Sequence, residues 1–81
     1  MTQRERDYYR TGEQDCDNVF DSNDVPTADD LREAFDASFE LDPDDVPHKL
    51  ALRDAWMRGW METAAYHVAR DAKRRAESEI E

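Results

Sequence analysis

The chain has 81 residues, of which 21 are acidic and 11 basic, giving a formal net charge of −10. A chain of this length forms one domain at most and buries only about 60% of its unfolded surface, so its core is thin. The lone Cys16 excludes an internal disulfide framework, and the absence of a long apolar run or an apolar leader predicts a cytoplasmic protein.

The charges are unevenly distributed along the chain. Residues 11–47 carry thirteen acids against Arg32 alone, whereas residues 48–76 carry seven basic residues and three acids. Such acidic stretches are commonly solvated or disordered segments. Alternatively, closely spaced carboxylates imitate a phosphate backbone and compete for a groove lined with Lys and Arg. Direct nucleic-acid binding by the acidic half is disfavoured by the same charge.

Residues 1–26 show no sustained periodicity, which predicts an acidic, partly irregular N-terminal arm. A short helix over residues 2–10 has weak support. We expect the arm to pack locally through Tyr9 and Phe20, or to become ordered only on binding. Residues 27–81 then form a separate helical hairpin domain.

A first clear helix is predicted over about residues 28–41. Thr27 followed by Asp30 resembles a capping box, in which the two residues satisfy each other's backbone N–H groups. An apolar stripe follows at helical spacing, through Leu31, Ala34, Phe35 and Ser38. Pro43 ends the helix, because a residue before proline avoids the α region.

A second, long helix is predicted over about residues 48–78. Pro47 suits its first turn, and Asp44 and Asp45 are candidates for its cap. The segment has no proline and is rich in helix formers, so it would extend for about 45 Å. Its apolar stripe needs a partner, either the arm or a second chain. The predicted fold class is therefore all-α, a short helix and a long helix forming a hairpin.

The last turns of the long helix carry a cluster of basic side chains. Basic residues there complement the helix dipole and pair with Glu77 and Glu79. The alternative is a contact with phosphate or with the acids of another molecule, including residues 11–47 of a second copy. This basic patch consists of Arg70, Lys73, Arg74 and Arg75.

No arrangement of residues typical of an enzyme is present in the sequence. Cys16 lies between Asp15 and Asp17, whose charges would raise the pKa of a thiol and make it a poor nucleophile. His48 and His67 are too far apart for a metal pair on one helix face. Two acidic segments begin like EF-hand loops but lack the glycine and the final glutamate of that motif. We expect no catalysis, no cofactor and no metal.

A ten-residue segment of the long helix resembles a known family. The motif Arg53-x-x-Trp56-x-x-Gly59-Trp60-x-Glu62 resembles the start of the second helix in ribosome modulation factor and its phage-encoded relatives. The resemblance implies a helical hairpin in which the two tryptophans and the glycine form a close helix crossing. It also implies ribosome or RNA binding, here through Arg53, Arg58 and the basic patch. The ribosome-binding members are basic, whereas this chain is acidic.

In size and charge the chain is also similar to small acidic phage proteins that disarm host nucleic-acid enzymes, including anti-CRISPR and anti-restriction proteins. The leading hypothesis is an inhibitor or regulator, acting in the host cytoplasm if phage-encoded, that presents carboxylates to the basic groove of a nucleic-acid-handling protein. The alternatives are the ribosome-binding hairpin and a dimeric assembly protein, and a homodimer is compatible with the leading hypothesis. The expected contacts are Asp29, Asp30, Glu33, Asp36, Glu40, Asp42, Asp44 and Asp45.

Overall fold

The structure, a computed structural model, describes residues 2–79, with side chains for residues 2–77. It contains α1 (Gln3–Val19), α2 (Ala28–Ser38), a short 3₁₀ turn (Val46–His48) and α3 (Lys49–Glu79). No strand occurs within the described residues, so the all-α prediction of a short and a long helix is confirmed. The molecule is elongated, with extents of 57 × 23 × 17 Å.

Helix α1 occupies most of the segment that the sequence predicts to be partly irregular. It begins at a capping box, in which the Thr2 hydroxyl accepts a hydrogen bond from the Glu5 backbone N–H at 3.2 Å. A capping box satisfies two of the N–H groups that a helix start leaves unpaired. Of this segment, the residues after α1 and before α2, 20–27, are irregular. The N-terminal segment is therefore an element of the bundle.

Helix α2 begins at the predicted capping box. The Thr27 hydroxyl accepts from the Asp30 backbone N–H at 3.2 Å, and the Asp30 carboxylate accepts from the Thr27 N–H at 3.0 Å. The helix ends at Ser38, three residues earlier than predicted. Phe39 adopts an extended conformation (φ −106°, ψ 121°), and its ring stacks on Phe35 with centroids 4.6 Å apart. Aromatic packing thus turns the chain out of the helix before Pro43 is reached.

The three helices alternate in direction, so that α1 and α3 run parallel. Near the start of α1, the Arg4 guanidinium donates to Asp45, which lies just before α3, at 3.2 Å. Near the end of α1, Asp17 is hydrogen-bonded to His67 at 2.7 Å. Both helices therefore advance along the bundle together in direct contact, and α2 runs back along α3 in the opposite direction.

The core is small and largely aromatic. Phe35 is 1% exposed and packs against Tyr8 and Trp56, with ring centroids 6.0 and 5.8 Å away. Tilted aromatic pairs at such distances are favourable beyond the area they bury. All three helices contribute to this cluster, whose buried members are Cys16, Leu31, Phe35, Trp56, Met57, Trp60 and Ala64.

The two halves of α3 have different surroundings. Its proximal half, residues 49–64, supplies most of the core. In its distal half, no side chain from Ala65 to Glu77 is buried. None of the described helices combines the length and the apolar character required to cross a membrane.

Candidate interaction surfaces

Two glycines allow α1 and α3 to approach until their backbones touch. A Cβ atom at Gly12 would overlap the carbonyl oxygen of Trp56, and one at Gly59 would overlap the carbonyl oxygen of Tyr9. Both obstacles are helix backbone, which cannot move aside as a side chain can. The family resemblance implied a close crossing at Gly59 within the hairpin of α2 and α3; in the structure the helix that crosses there is α1, through Gly12.

The tryptophans next to this crossing are buried in the core. Trp56 is 4% and Trp60 5% exposed. The Trp56 indole N–H donates to an Asp15 carboxylate oxygen at 2.9 Å, which satisfies its polar atom. Across the crossing, Tyr9 donates a hydrogen bond to Glu62, and this bond raises the pKa of the Tyr9 phenol. The aromatic residues of the family-like motif thus serve packing between helices.

Two of the eight acids predicted to bind a partner lie in the connector before α3 and are close to one cation. Asp45 is only 6% exposed and pairs with the Arg4 guanidinium. Asp42 lies 3.7 Å from the same guanidinium. The predicted cap does not form, since no side chain caps the 3₁₀ turn. Asp45 is therefore buried and paired within the fold, unlike the exposed acids of the predicted set.

Two further acids of the predicted set are paired on or beside α2. Asp29 forms an ion pair with Arg32 one turn later on the same helix. Asp36 lies 3.2 Å from the Lys49 ammonium and 3.9 Å from the Arg53 guanidinium. These two cations extend from α3, so Asp36 joins the two helices of the hairpin.

The remaining acids lie along α2 and in its flanking loops. Each is exposed, and none has a basic group within 4.0 Å among the side chains of residues 2–77. Asp21 and Asp24 precede the helix and were absent from the predicted contact set, although their charges are evident in the sequence. We call this set the acidic strip: Asp21, Asp24, Asp30, Glu33, Glu40 and Asp44.

The basic patch lies on the distal half of α3. Its four side chains are exposed, and within residues 2–77 no carboxylate lies within 4.0 Å of them. The predicted pairing with Glu77 is therefore not formed, and the Glu79 side chain lies outside the described part. The exposed ring of Tyr66, 63% accessible, precedes the patch on the same helix.

A shallow apolar groove runs along the distal half of α3. Met61 is 48%, Val68 45% and Val25 44% exposed. Burial of these apolar side chains would be favourable. The groove covers about 18 Å of helix, from Trp60 to Ala72. Its wall comes from the loop before α2 and its floor from α3; the lining residues are Val25, Pro26, Trp60, Met61, Ala64, Ala65, Val68, Ala69 and Ala72.

The Cys16 thiol and the His67 imidazole both pack against neighbouring side chains of the fold. Burial, and secondarily the charge of Asp17, raises the pKa of the Cys16 thiol to about 11. The thiol is therefore protonated at neutral pH and fully enclosed. His67 is hydrogen-bonded to Asp17 and stacks on Phe20 with centroids 5.0 Å apart. Within the described residues, no three His, Cys, Asp or Glu side chains are grouped as a metal would require.

Comparison with known proteins gives no relative: no family model, no curated protein and no solved structure matches the chain. The resemblance to ribosome modulation factor therefore rests on its ten-residue motif alone.

Proposed function

We propose that this chain is an acidic binding protein that inserts its carboxylates into a Lys/Arg-lined groove of a nucleic-acid-handling complex. By occupying that groove it would inhibit or regulate the complex, as an anti-CRISPR-like protein does in phage anti-defence. The observation that carries the proposal is the acidic strip, six exposed carboxylates with no basic group within 4.0 Å among the described side chains.

Charge spacing along α2 supports this proposal. Asp30 and Glu33 are one helical turn apart, a rise of about 4.5 Å at 1.5 Å per residue. Successive phosphates on one DNA strand rise by about 3.4 Å. A basic groove shaped for a nucleic-acid strand would therefore meet carboxylates at a comparable spacing.

The rigidity of the strip also favours binding. The central acids lie on a helix that is capped by Thr27 and packed into the core through Leu31 and Phe35. The backbone that carries them is thus fixed before binding, which lowers the entropy lost on association. The net charge of −10 would in addition steer the protein towards a basic partner over long range.

The experiment is a pull-down from bacterial lysate with the tagged chain, followed by mass spectrometry. It is run at about 0.1 M and about 1 M salt, where the Debye length falls from about 10 Å to about 3 Å. We expect a nuclease, polymerase or other nucleic-acid-binding protein at low salt, and its loss at high salt. The purified partner then allows its nucleic-acid-dependent activity to be measured with and without this chain.

A matched pair of variants separates the strip from net charge. The strip variant combines Asp21→Asn, Glu33→Gln, Glu40→Gln and Asp44→Asn. The control combines Asp7→Asn, Asp54→Asn, Asp71→Asn and Glu77→Gln, and removes the same number of charges away from the strip. We expect the strip variant to lose partner binding at least about tenfold, and the control to bind within about threefold of the parent. Equal binding by the two variants would reject the strip as the contact surface.

A second candidate function, ribosome or RNA binding, is favoured by the exposed basic patch beside Tyr66. Cations next to an aromatic ring suit phosphates and unstacked bases. Co-sedimentation with ribosomes, abolished by Arg74→Glu with Arg75→Glu, would support this function. Absence from the ribosome fraction at low salt would remove it.

A further inference from the structure

Two shallow depressions follow each other along one face of α3 and share the exposed ring of Tyr66. The first lies between α1 and α3 and contains three acids; its lining residues are Glu13, Asp17, Glu62, Thr63 and Tyr66. The second continues along α3 and contains two basic residues; its lining residues are Tyr66, Ala69, Arg70 and Lys73. The face is therefore acidic on one side of Tyr66 and basic on the other.

Most of these charges are not neutralised within the fold. Arg70 and Lys73 have no carboxylate within 4.0 Å, and Glu13 has no basic group within that distance, among the side chains of residues 2–77. Glu62 accepts a hydrogen bond from the uncharged Tyr9 phenol. Both sides of the face thus keep charge that a partner can pair.

The acidic and basic positions are spaced equally from Tyr66. Glu62 comes four residues before it and Arg70 four residues after it. Lys73 comes seven residues after Tyr66, and Gly59 seven residues before it. Glu13 of α1 lies at the level of Gly59, since a Cβ atom there would be 3.3 Å from the Glu13 backbone nitrogen. Such a face is self-complementary, as a two-fold symmetric interface requires.

We propose that this face binds a second copy of the chain, with the two α3 helices antiparallel about a two-fold axis through Tyr66. Arg70 of each copy then lies opposite Glu62 of the other, and Lys73 lies opposite Glu13. The two Tyr66 rings, each 63% exposed in the single chain, meet at the axis. A parallel pair would instead place like charges together. This dimer does not rest on the function proposed above, because the acidic strip lies on α2 and its flanking loops.

The size of the face sets the expected strength of the dimer. From Glu62 to Lys73 the helix rises by about 17 Å, which is short for a protein interface. At about 0.15 M salt the Debye length is about 8 Å, so distant acids of the two copies repel each other little, whereas charges in contact still attract. We expect a dissociation constant on the order of 100 μM.

The first test is the molecular mass at increasing concentration, by sedimentation or light scattering at about 0.15 M salt. We expect a reversible shift from 9.5 kDa towards twice that mass. Tyr66→Ala should weaken the dimer about tenfold, because the aromatic pair at the axis is lost. Leu50→Ala is the control, since Leu50 is an exposed residue of α3 outside both depressions; it should leave the dimer unchanged within about twofold.

The second test reverses the charges on either side of the axis and so checks the orientation. One variant combines Arg70→Glu with Lys73→Glu, and the other combines Glu13→Lys with Glu62→Lys. Each alone places like charges opposite each other and should be monomeric. An equimolar mixture should form a heterodimer, because every contact then joins opposite charges.

A matched control reverses two other charges of the same basic patch. Arg74 and Arg75 are exposed but line neither depression. Arg74→Glu with Arg75→Glu should therefore leave the dissociation constant within about threefold. The variant at Arg70 and Lys73 changes only exposed side chains of the distal half, so it tests the interface without removing a contact of the fold.

Four results would overturn the proposal. The first is a monomer at all concentrations up to about 1 mM, and the second is a Tyr66→Ala dimer of undiminished strength. The third is an equal loss of dimer when Arg74 and Arg75 are reversed and when Arg70 and Lys73 are reversed. The fourth is a charge-reversed mixture that remains monomeric. None of these results bears on the acidic strip, whose residues lie outside both depressions.

Discussion

The two halves of α3 belong to one continuous helix but are stabilised differently. In the proximal half, side chains such as Leu52 and Trp60 are 2% and 5% exposed and contact the rest of the bundle. In the distal half, no side chain from Ala65 to Glu77 is buried. The proximal half is therefore helical because of tertiary contacts, and the distal half because of local propensity and any partner that it finds.

The proximal half of α3 therefore contributes most to stability, whereas the distal half is exposed surface. An 81-residue chain has few residues with which to do both. Here the core is concentrated around the proximal half of α3, and the distal half carries the basic patch and part of the apolar groove. Substitutions in the two halves should consequently have very different effects on folding.

The largest expected effect is that of Phe35→Ala, which removes the most buried aromatic ring of the core. We expect a loss of about 3–5 kcal/mol in the free energy of unfolding, enough to unfold much of the protein. Tyr66→Ala, in the distal half, is the aromatic control and should change it by no more than about 0.5 kcal/mol. Circular dichroism during urea denaturation measures both; similar losses would contradict the division of α3.

The next effect concerns the helix crossing. Gly12→Ala places a Cβ against the Trp56 carbonyl of α3, so the two helices must move apart. We expect a loss of about 3 kcal/mol, at the upper end for overpacking, because the obstacle is backbone. Gln14→Ala, at an exposed position of the same helix, should be neutral or slightly stabilising. An unchanged melting temperature for Gly12→Ala would show that the helices do not touch there.

A smaller effect is expected at the contact of α1 with the connector before α3. Arg4→Ala leaves the Asp45 carboxylate buried without its cation, which is unfavourable. We expect the melting temperature to fall by about 5 °C, against less than about 2 °C for Arg6→Ala at an exposed position nearby. Equal melting temperatures for the two variants would show that the pair does not stabilise the fold.

The smallest effect is a pH dependence arising from Cys16. Its pKa is about 11 in the folded protein against an ordinary value of 9.0, so the unfolded state releases the thiol proton first. Stability is therefore complete below pH 9 and decreases as the pH rises, by about 1 kcal/mol at pH 10. Cys16→Ala retains the tyrosines but should lack this component; identical pH profiles for the two proteins would refute the assignment.

The sequence predicted α2 and α3 because both carry conventional signals. The capping box of Thr27 and Asp30 and the stripe through Leu31 and Phe35 are all found in the structure. Pro47 lies in the 3₁₀ turn immediately before α3, whereas α2 ends at Ser38, ahead of the predicted stop at Pro43. These signals are local, and local signals can be interpreted without knowing the fold.

The sequence predicted only a short helix over residues 2–10 in place of α1, because the packing face of α1 contains few large apolar residues. The face that meets the rest of the bundle is formed by Tyr8, Gly12 and Cys16, spaced by four residues. Small residues on such a face have low hydrophobicity, yet they are what permits contact between backbones. The pair of Thr2 and Glu5 has the same spacing as the capping box of α2 and could have revealed the start of the helix.

The acidic character of the candidate surface could be predicted from the sequence, but the burial and pairing of its individual residues could not. Exposure of Glu33 follows from its position opposite the apolar stripe of α2. The burial of Asp45 depends on Arg4, which is 41 positions away, and no local pattern reports such a pair. The groove also needs the fold, since Val25 reaches α3 only through the loop before α2.

The parallel crossing of α1 and α3 also has a consequence for how the chain folds. Helix α1 depends on partners far along the sequence: Asp15 bonds Trp56, 41 positions away, and Tyr9 bonds Glu62, 53 positions away. A helical protein with such distant contacts should fold more slowly than one built from adjacent hairpins. During synthesis at about 5–20 residues per second, α1 would wait about 2–10 s for its partner to be made. Until α3 has been synthesised, the packing face of α1 exposes little apolar surface, which limits aggregation.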